Sequence, residues 1–549
     1  MRAERSWTTA LVVGVIALAS GGWLLNQGVP GGVAESRRLL EEVHHLISEQ
    51  FVDEIQPDEL YRMAIDGMLS ELGDPYTDFL TPEDWEDVRY TTTGNYGGLG
   101  VRIDEKDGWI TVVAVLPNTP AQRQGLVIGD RIIEVEGESA EGWNPDKAVQ
   151  VLRGPKGAAV NITIARVGAE RPLRYEIVRD EIHVVQALAF MLDHGVGFVQ
   201  LRGFSRAAQE ELVEGIDRLL DEGAASLILD LRTNPGGLLE EGIQVTDLFL
   251  ERNAEVVETR SRVPNQNYSY RAPSDERYPG IPIVVLVNSW SASASEIVAG
   301  ALQDHDRAVI LGVTTFGKGS VQTLYRLSGD NHMKVTTARW FTPSGRSIQR
   351  DYDHEAAARM SDLAVSISGE PVEVPDPDRE SRETFQTDGG RVVYGGGGIT
   401  PDLIIQADTL TTDEQQLRAS AMRNGVVVRD AVFRWAVEYV DSGATVREGF
   451  TVTEAMRSAV FAKLDEEGAA VERDLFDRST RFVDFLIGTE LAGAALGETP
   501  QLKRRAVEDG QVLAAVDLLR RSTDPASLLA LAAREAESRD AVAGSGPGR

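Results

Sequence analysis

Apolar residues recur every three to four positions at Leu39, Leu40, Val43, Leu46, Ile47 and Phe51, and again at Leu60, Met63, Ala64, Met68 and Leu72. Both runs predict amphipathic helices, each with one face to bury. Gly73-Asp74-Pro75-Tyr76 ends the second. Beyond residue 95 the period shortens: residues 109–115, 129–135, 158–166 and 174–178 read as strands, with short helices over 120–126 and 144–152. Over residues 185–350 strands and helices alternate. Strands are predicted at 196–201, 225–231, 281–287 and 308–313, and helices at 207–220, at 238–250 and from 295. This order predicts a sheet with crossover connections. Two more strands follow at 323–327 and 333–340. The stretch 351–394 is polar, carries Pro371, Pro375 and Pro377, and leads into four glycines at 395–398. It reads as an inserted surface loop, partly disordered. Residues 405–540 turn helical and charge-rich, and Phe433, Trp435, Ala436, Val440, Phe461, Leu464, Phe482, Phe485 and Leu486 are expected to face a core or a partner.

Ahead of the first helix, Arg2 and Arg5 precede an apolar run over residues 10–25, the pattern of an export signal. Ala17-Leu18-Ala19 offers a cleavage site, whereas Trp23-Leu24-Leu25 prolongs the run towards an uncleaved membrane anchor. A signal peptide and an anchor both stand as readings of 1–30, with a buried amino-terminal helix as the plain alternative. With arginine on the amino side, the rest of the chain is expected outside the cytoplasm, in the periplasm or cell envelope.

Composition narrows the chemistry. A chain of 549 residues with 42% hydrophobic positions has room for several cores. A net charge of −31 argues against a nucleic-acid partner, because phosphate contacts need clustered Lys and Arg. The absence of Cys excludes disulfides, thiolate metal sites and a cysteine nucleophile. The seven His residues show no ligand spacing. Neither a metal nor any other cofactor is predicted.

The most informative stretch follows strand 281–287. It reads Asn288-Ser289-Trp290-Ser291-Ala292-Ser293-Ala294-Ser295-Glu296-Ile297 and opens a helix. A strand, a tight turn, a serine and a helix start can set a hydroxyl beside backbone N–H groups able to bind an oxyanion. A serine needs a base. No His lies in a recognisable triad, and Gly-x-Ser-x-Gly is absent. The nearby candidate is Lys318, in Phe316-Gly317-Lys318-Gly319-Ser320-Val321-Gln322, one of only seven Lys among 55 basic residues. A desolvated lysine can lose its proton at neutral pH, and an arginine cannot.

In motif and spacing these two segments resemble the carboxy-terminal processing peptidases, or tail-specific proteases. The resemblance implies a Ser–Lys dyad with Ser293 as nucleophile, Lys318 as general base and Gln322 orienting its amine. Arg232-Thr233-Asn234-Pro235-Gly236-Gly237, at the end of strand 225–231, is similar to a family signature. It implies an oxyanion hole from Ala294 and either Gly236 or Gly237. Phe341-Thr342-Pro343-Ser344-Gly345-Arg346-Ser347-Ile348-Gln349 matches the family too, and Gly398-Ile399-Thr400-Pro401-Asp402 does so after a delay. The elements of 95–182 follow the order of a PDZ domain. There Gly98, Leu99, Gly100 and Val101 resemble the loop whose N–H groups hold a terminal carboxylate while the peptide adds as a strand. Arg153, in a turn similar to one in the family's PDZ domains, is a candidate for coupling that domain to the protease, with a solvated turn charge as the alternative.

The expected architecture is multidomain α/β. Residues 1–30 are the signal or anchor and 35–94 a helical region, followed by an inserted PDZ domain at 95–182. A ClpP/crotonase-like peptidase core spans 183–405, with the insertion at 351–394, and 406–549 form an all-helical domain. The resemblance covers roughly 35–405. The implied activity is endoproteolysis near carboxy termini, on protein or peptide substrates with apolar tails. The membrane is reached through the amino-terminal segment, and the helical regions are candidates for homo-oligomer or adaptor contacts. The rival reading is a catalytically silent PDZ scaffold. A non-peptidase hydrolase fits poorly with a domain that selects peptides.

Overall fold

Strands flanked by helices on both faces are apolar at nearly every position, and those facing solvent on one side alternate. The run predicted at 281–287 is of the first kind. In the computed structural model it is the strand Ile283–Val287, buried at all five positions. The structure describes residues 31–350, 366–367 and 381–544. The expected export segment and most of the expected insertion lie outside the described residues. The chain divides into two units, residues 1–82 with 322–336, and 83–321 with 337–549.

In the first unit, Gly31–Gln50 and Pro57–Ser70 are helices, as their periodicity predicts. Their apolar faces stay open: Leu39, Leu46 and Met68 are each 60% exposed. The strand Asp78–Leu80 pairs antiparallel with residues 332–334.

In the second unit, six strands run in the order Ala187–Met191, Val196–Leu201, Ser226–Asp230, Ile283–Val287, Val309–Gly312 and Leu403–Ile404. The first pair is antiparallel and the rest are parallel. Side chains alternate across the sheet. Val199, Leu229, Val285, Val287 and Ile310 meet the helices Ala208–Asp221, Leu239–Asp247 and Ala294–Asp304 on one face. Phe198, Ile228, Val284, Leu286 and Leu311 meet Val512, Ala515, Leu518, Leu519 and Leu528 on the other. These last residues belong to the helices Gly510–Arg520 and Pro525–Gly544. The end of the carboxy-terminal region is therefore the helical layer on the second face of this sheet, where the sequence suggested a separate helical domain.

The PDZ region is a five-stranded path, Val101–Lys106, Trp109–Val115, Arg131–Val135, Ala159–Ala165 and Leu173–Val178, with helices Pro120–Gln124 and Pro145–Leu152. Asn95–Gly98 pairs with Asp180–His183, so the chain leaves this module beside the point where it entered. Ion pairs fasten it to the carboxy-terminal helices: Lys106 to Asp430 at 2.6 Å, both nearly buried, and Arg434 to Asp107 at 2.6 Å. Glu498 joins Arg102 of the PDZ region to Arg202 of the core.

The insertion differs from expectation over its last third. Thr384–Gln386 and Val392–Tyr394 form a hairpin, and Arg391 reaches Asp306 and Asp402 at 2.5 Å each. The polar composition that suggested a loose loop here supplies ion pairs to the core.

Candidate active site

Two turns at the carboxyl ends of neighbouring parallel strands build the site, the place where α/β folds set their functional groups. The first follows Ser226–Asp230 and is organised by Asn234, which is fully buried. Its Nδ2 donates to the Leu201 carbonyl at 2.8 Å and its Oδ1 accepts from Gly236 N at 2.9 Å. Its own carbonyl accepts from Ala292 N at 3.0 Å and from the Ser295 hydroxyl at 2.9 Å. The turn thus lies against the serine segment. A Cβ at Gly236 (φ +94°) would stand 2.8 Å from Ser293 Cβ and 2.9 Å from Ala294 N; one at Gly237 (φ +150°) would stand 2.4 Å from the Phe204 carbonyl. Only glycine tolerates such approaches.

The second turn carries the three serines. Ser291 donates to the Leu231 carbonyl at 2.8 Å, and Ser295 is committed to Asn234; both are fully buried. Ser293 alone of the three is partly exposed. Its backbone sits at φ +56°, ψ −113°, a conformation that costs a non-glycine residue ~1–3 kcal/mol and clusters at functional positions. Among the described residues the N–H groups of Gly237 and Ala294 donate to no protein acceptor, whereas that of Gly236 is taken by Asn234.

Glu296 joins this turn to the lysine loop, a role that sequence reasoning missed. Its Oε2 accepts from Ser293 N at 2.8 Å and Lys318 N at 2.9 Å, and its Oε1 accepts from Thr315 Oγ1 at 2.6 Å and Gly317 N at 2.7 Å. Burial pushes the carboxyl up, opposed by the hydrogen bonds from Thr315, Gly317, Lys318 and Ser293. The signal was in the sequence: a charged residue at the third position of a helix whose next six residues, 297–302, carry no polar side chain. Lys318 is held further through its carbonyl, which accepts from Trp340 Nε1 at 3.1 Å. The delayed glycine motif is in place, with Ile399 N donating to Thr315 Oγ1 at 2.6 Å. Ser293 and Lys318 thus converge on the buried side chain of Glu296 and Gly236 on that of Asn234, with Ala294 N–H beside Gly236. Gln322 belongs to the first unit, where its Nε2 donates to Thr336 Oγ1 at 3.2 Å. Burial raises the Asp74 carboxyl there, but hydrogen bonds led by Thr336 and Thr77 outweigh it and hold the group below its ordinary range.

In the PDZ region, Leu99 and Gly100 N–H groups donate to no acceptor among the described residues, while their carbonyls accept from Ala121 N and Leu116 N. A Cβ at Gly100 (φ +82°) would lie 2.2 Å from Thr119 Cβ. Gly98 and Leu99 are buried and Val101 opens the edge strand Val101–Lys106, which heads the sheet path and leaves an edge for an added strand. Arg153 is not a solvated turn charge. Its guanidinium lies 4.5 Å from the Tyr90 ring centre and 4.9 Å from that of Tyr96, and it bonds Asp87 at 2.9 Å. Burial pushes the Tyr96 hydroxyl up to about 12, with Tyr90 adding to the rise and Arg153 opposing it.

A serine on a strained turn, with free N–H groups beside it and a lysine loop fastened to the same carboxylate, defines a serine hydrolase class site. Residues 195–355 match peptidase family S41, residues 89–165 the PDZ domain, and residues 30–83 the activating protease CtpB N-terminal domain. The carboxy-terminal-processing protease of Bartonella bacilliformis is 39% identical over 312 residues, 56% of this chain and 71% of that protein. The carboxyl-terminal-processing protease of Synechocystis is 33% identical over 376 residues, covering 64% and 86%. Among solved structures, a photosystem II D1 C-terminal processing protease is 27% identical over 58% of this chain and 91% of that one, with a TM-score of 0.34. The chain belongs to the carboxy-terminal-processing protease family. It is a serine peptidase with a PDZ domain.

Proposed function

We propose that the protein is an exported endopeptidase that cuts substrates near their carboxy termini, with the apolar tail held by the PDZ domain and the bond broken at Ser293. The observation that carries this reading is the Glu296 carboxylate, which fastens the backbone of Ser293 and that of Lys318 through one oxygen. A catalytically silent scaffold has no use for that arrangement.

In this mechanism the tail carboxylate accepts from Leu99 and Gly100 N–H, and the peptide extends along Val101–Lys106. Ser293 Oγ attacks the scissile carbonyl carbon as its proton passes to the neutral Lys318 amine. The Gly237 and Ala294 N–H groups receive the oxyanion; Gly236 drops out because its N–H is already bonded to Asn234. Collapse breaks the C–N bond, and the leaving amine takes the proton from Lys318. Water then attacks the acyl-serine ester, giving its proton to Lys318; the Ser293 C–O bond breaks, Lys318 returns the proton to Ser293 Oγ, and the acid product leaves. By family resemblance Gln322 orients the lysine amine.

Residues 1–30 are proposed as signal or anchor, delivering the peptidase to the periplasm or cell envelope, and the exposed faces of the first unit as the contact for a second copy. No helix among the described residues is long and apolar enough to cross a membrane.

The test is cleavage of an unfolded protein with an apolar tail by the parent chain, Ser293→Ala and Lys318→Ala. Loss in both variants is expected. Cleavage persisting in Ser293→Ala removes the nucleophile assignment. Tail binding without cleavage by the parent favours the scaffold.

A further inference from the structure

Arg232 stands two residues before Asn234, and its guanidinium is shared between near and distant partners. Asp230 binds it bidentately, Nε to Oδ1 at 2.9 Å and Nη2 to Oδ2 at 2.8 Å. Its Nη1 points to the carboxy-terminal region, donating to Asp509 Oδ2 at 2.7 Å and Gln511 Oε1 at 2.8 Å, partners 277 and 279 residues further along the chain. Both are well anchored. The other oxygen of Asp509 caps the helix Gly510–Arg520, accepting from Gln511 N at 2.8 Å and Val512 N at 3.1 Å. Gln511 is 3% exposed, and its Nε2 donates to the Ile405 carbonyl at 2.6 Å. The helix they start lies on the sheet face opposite the helix Ala294–Asp304.

We propose that the carboxy-terminal helical domain is a working part of the peptidase: Asp509 and Gln511 clamp Arg232 and so position the Asn234-Pro235-Gly236-Gly237 turn that presents an oxyanion donor. This rests on the assignment of that turn made above. The geometry supplies the reason. Asp230 is the last residue of the strand that Arg232 follows by two positions, so its bonds tie the strand end only to its own exit. The bonds to Asp509 and Gln511 tie it to an element whose position is set by sheet packing. Donor placement matters within about 0.5 Å, because an oxyanion donor acts only where charge develops. Asp509 and Gln511 are therefore positioning residues, acting through Arg232 on the Gly237 N–H, five residues away in sequence.

The test uses the full chain. Asp509→Asn keeps an oxygen for the helix cap while removing the charge, and Gln511→Met removes the second acceptor. In the double variant kcat for peptide cleavage is expected to fall ~10-fold, less than the ~10²–10³ lost when a donor is deleted outright. KM and tail-peptide affinity are expected to stay close to the parent values, while the melting temperature falls because Arg232 Nη1 and the Ile405 carbonyl lose buried partners. Gln511→Met alone, which loses the same packing but keeps the Asp509 carboxylate on Arg232, is expected to retain a kcat about two- to fivefold above that of D509N/Q511M, which a loss of packing alone would not allow. Parent-like kcat in D509N/Q511M overturns the clamp. Should that variant fail to fold, Gln511→Met alone, which leaves the cap and ion pair, is expected to lower kcat about two- to fivefold by the same loosening of an oxyanion donor, and an unchanged value overturns the proposal. Ser293→Ala and Asn234→Ala run alongside. Activity retained in Ser293→Ala rejects the reading of the site itself, and loss in both with parent rates in D509N/Q511M rejects only the clamp.

Discussion

Replacing Glu296 by Gln keeps size and shape but turns one oxygen that only accepts into an NH2 that only donates. The carboxylate receives four donors, two on each oxygen. If the NH2 takes the place of Oε2, the N–H groups of Ser293 and Lys318 both lose their acceptor. If it takes the place of Oε1, the Thr315 oxygen can accept from it as well as from Ile399 N–H, leaving Gly317 N–H stranded and the hydroxyl proton to turn to a new acceptor. The second orientation is therefore expected. One orphaned buried donor costs about 1–3 kcal/mol, and the bonds that remain lose their charge assistance, worth about another 1 kcal/mol. The sum is ~2–4 kcal/mol, concentrated on the segment that holds Lys318. Part of it is released by letting the lysine loop move, so kcat is expected to fall at least ~10-fold, less than the ~10²–10⁴ that a general base supplies in full. The assay is steady-state cleavage with amide hydrogen exchange. Exchange at Gly317 and Lys318 is expected to accelerate while the sheet strand Ile283–Val287 stays protected. Parent-like kcat with unchanged exchange at Gly317 refutes the claim that this carboxylate sets the geometry of the site.

Other outcomes follow from the same structure. Gly100→Ala forces a Cβ to within 2.2 Å of Thr119 at positive φ, so fluorescence anisotropy is expected to show tail-peptide binding lost while cleavage of a tail-less short peptide persists. The nearly buried Lys106–Asp430 pair, with Asp104 still 2.9 Å from the ammonium, makes Asp430→Ala destabilising by ~1–3 kcal/mol by denaturant titration, whereas Lys106→Met/Asp430→Leu is expected to be milder; equal losses refute the argument that a weakened partner set on the ammonium sets the cost. The Asp180 carboxyl is lowered to about 2, chiefly by its hydrogen bond from Lys156, then by Glu181 N–H and Arg123. A depressed acid contributes stability above its unfolded value of 3.8 that is lost as pH falls through about 2. Asp180→Asn is therefore expected to lower the melting temperature at pH 6, with the gap closing between 3.8 and about 2.

Much of the architecture was legible because it depends on local periodicity. A run of β-branched and aliphatic residues, Ile283–Val287, can only be a strand covered on both faces, and the three-to-four spacing in residues 39–51 can only be an amphipathic helix. The chemistry-bearing turns were legible too, since glycines at positive φ, a serine before a helix and a rare lysine between glycines are local features. The sequence by itself thus determined the elements, the family and the residues that could react.

Tertiary structure decided what those residues are held by. Whether Gly236 or Gly237 has a free N–H depends on the side chain of Asn234, whose placement is set by Leu201 and by the serine turn. Glu296 looked like an ordinary first-turn acid of a helix, yet it collects donors from a loop about twenty residues on. The helices after residue 406 carried no motif, because an apolar helical face does not encode which surface it will cover. Only the folded chain shows part of it closing the second face of the catalytic sheet and delivering Asp509 to Arg232. Pairing across 277 residues is chosen by what can be buried and hydrogen-bonded together, and no local pattern records that choice.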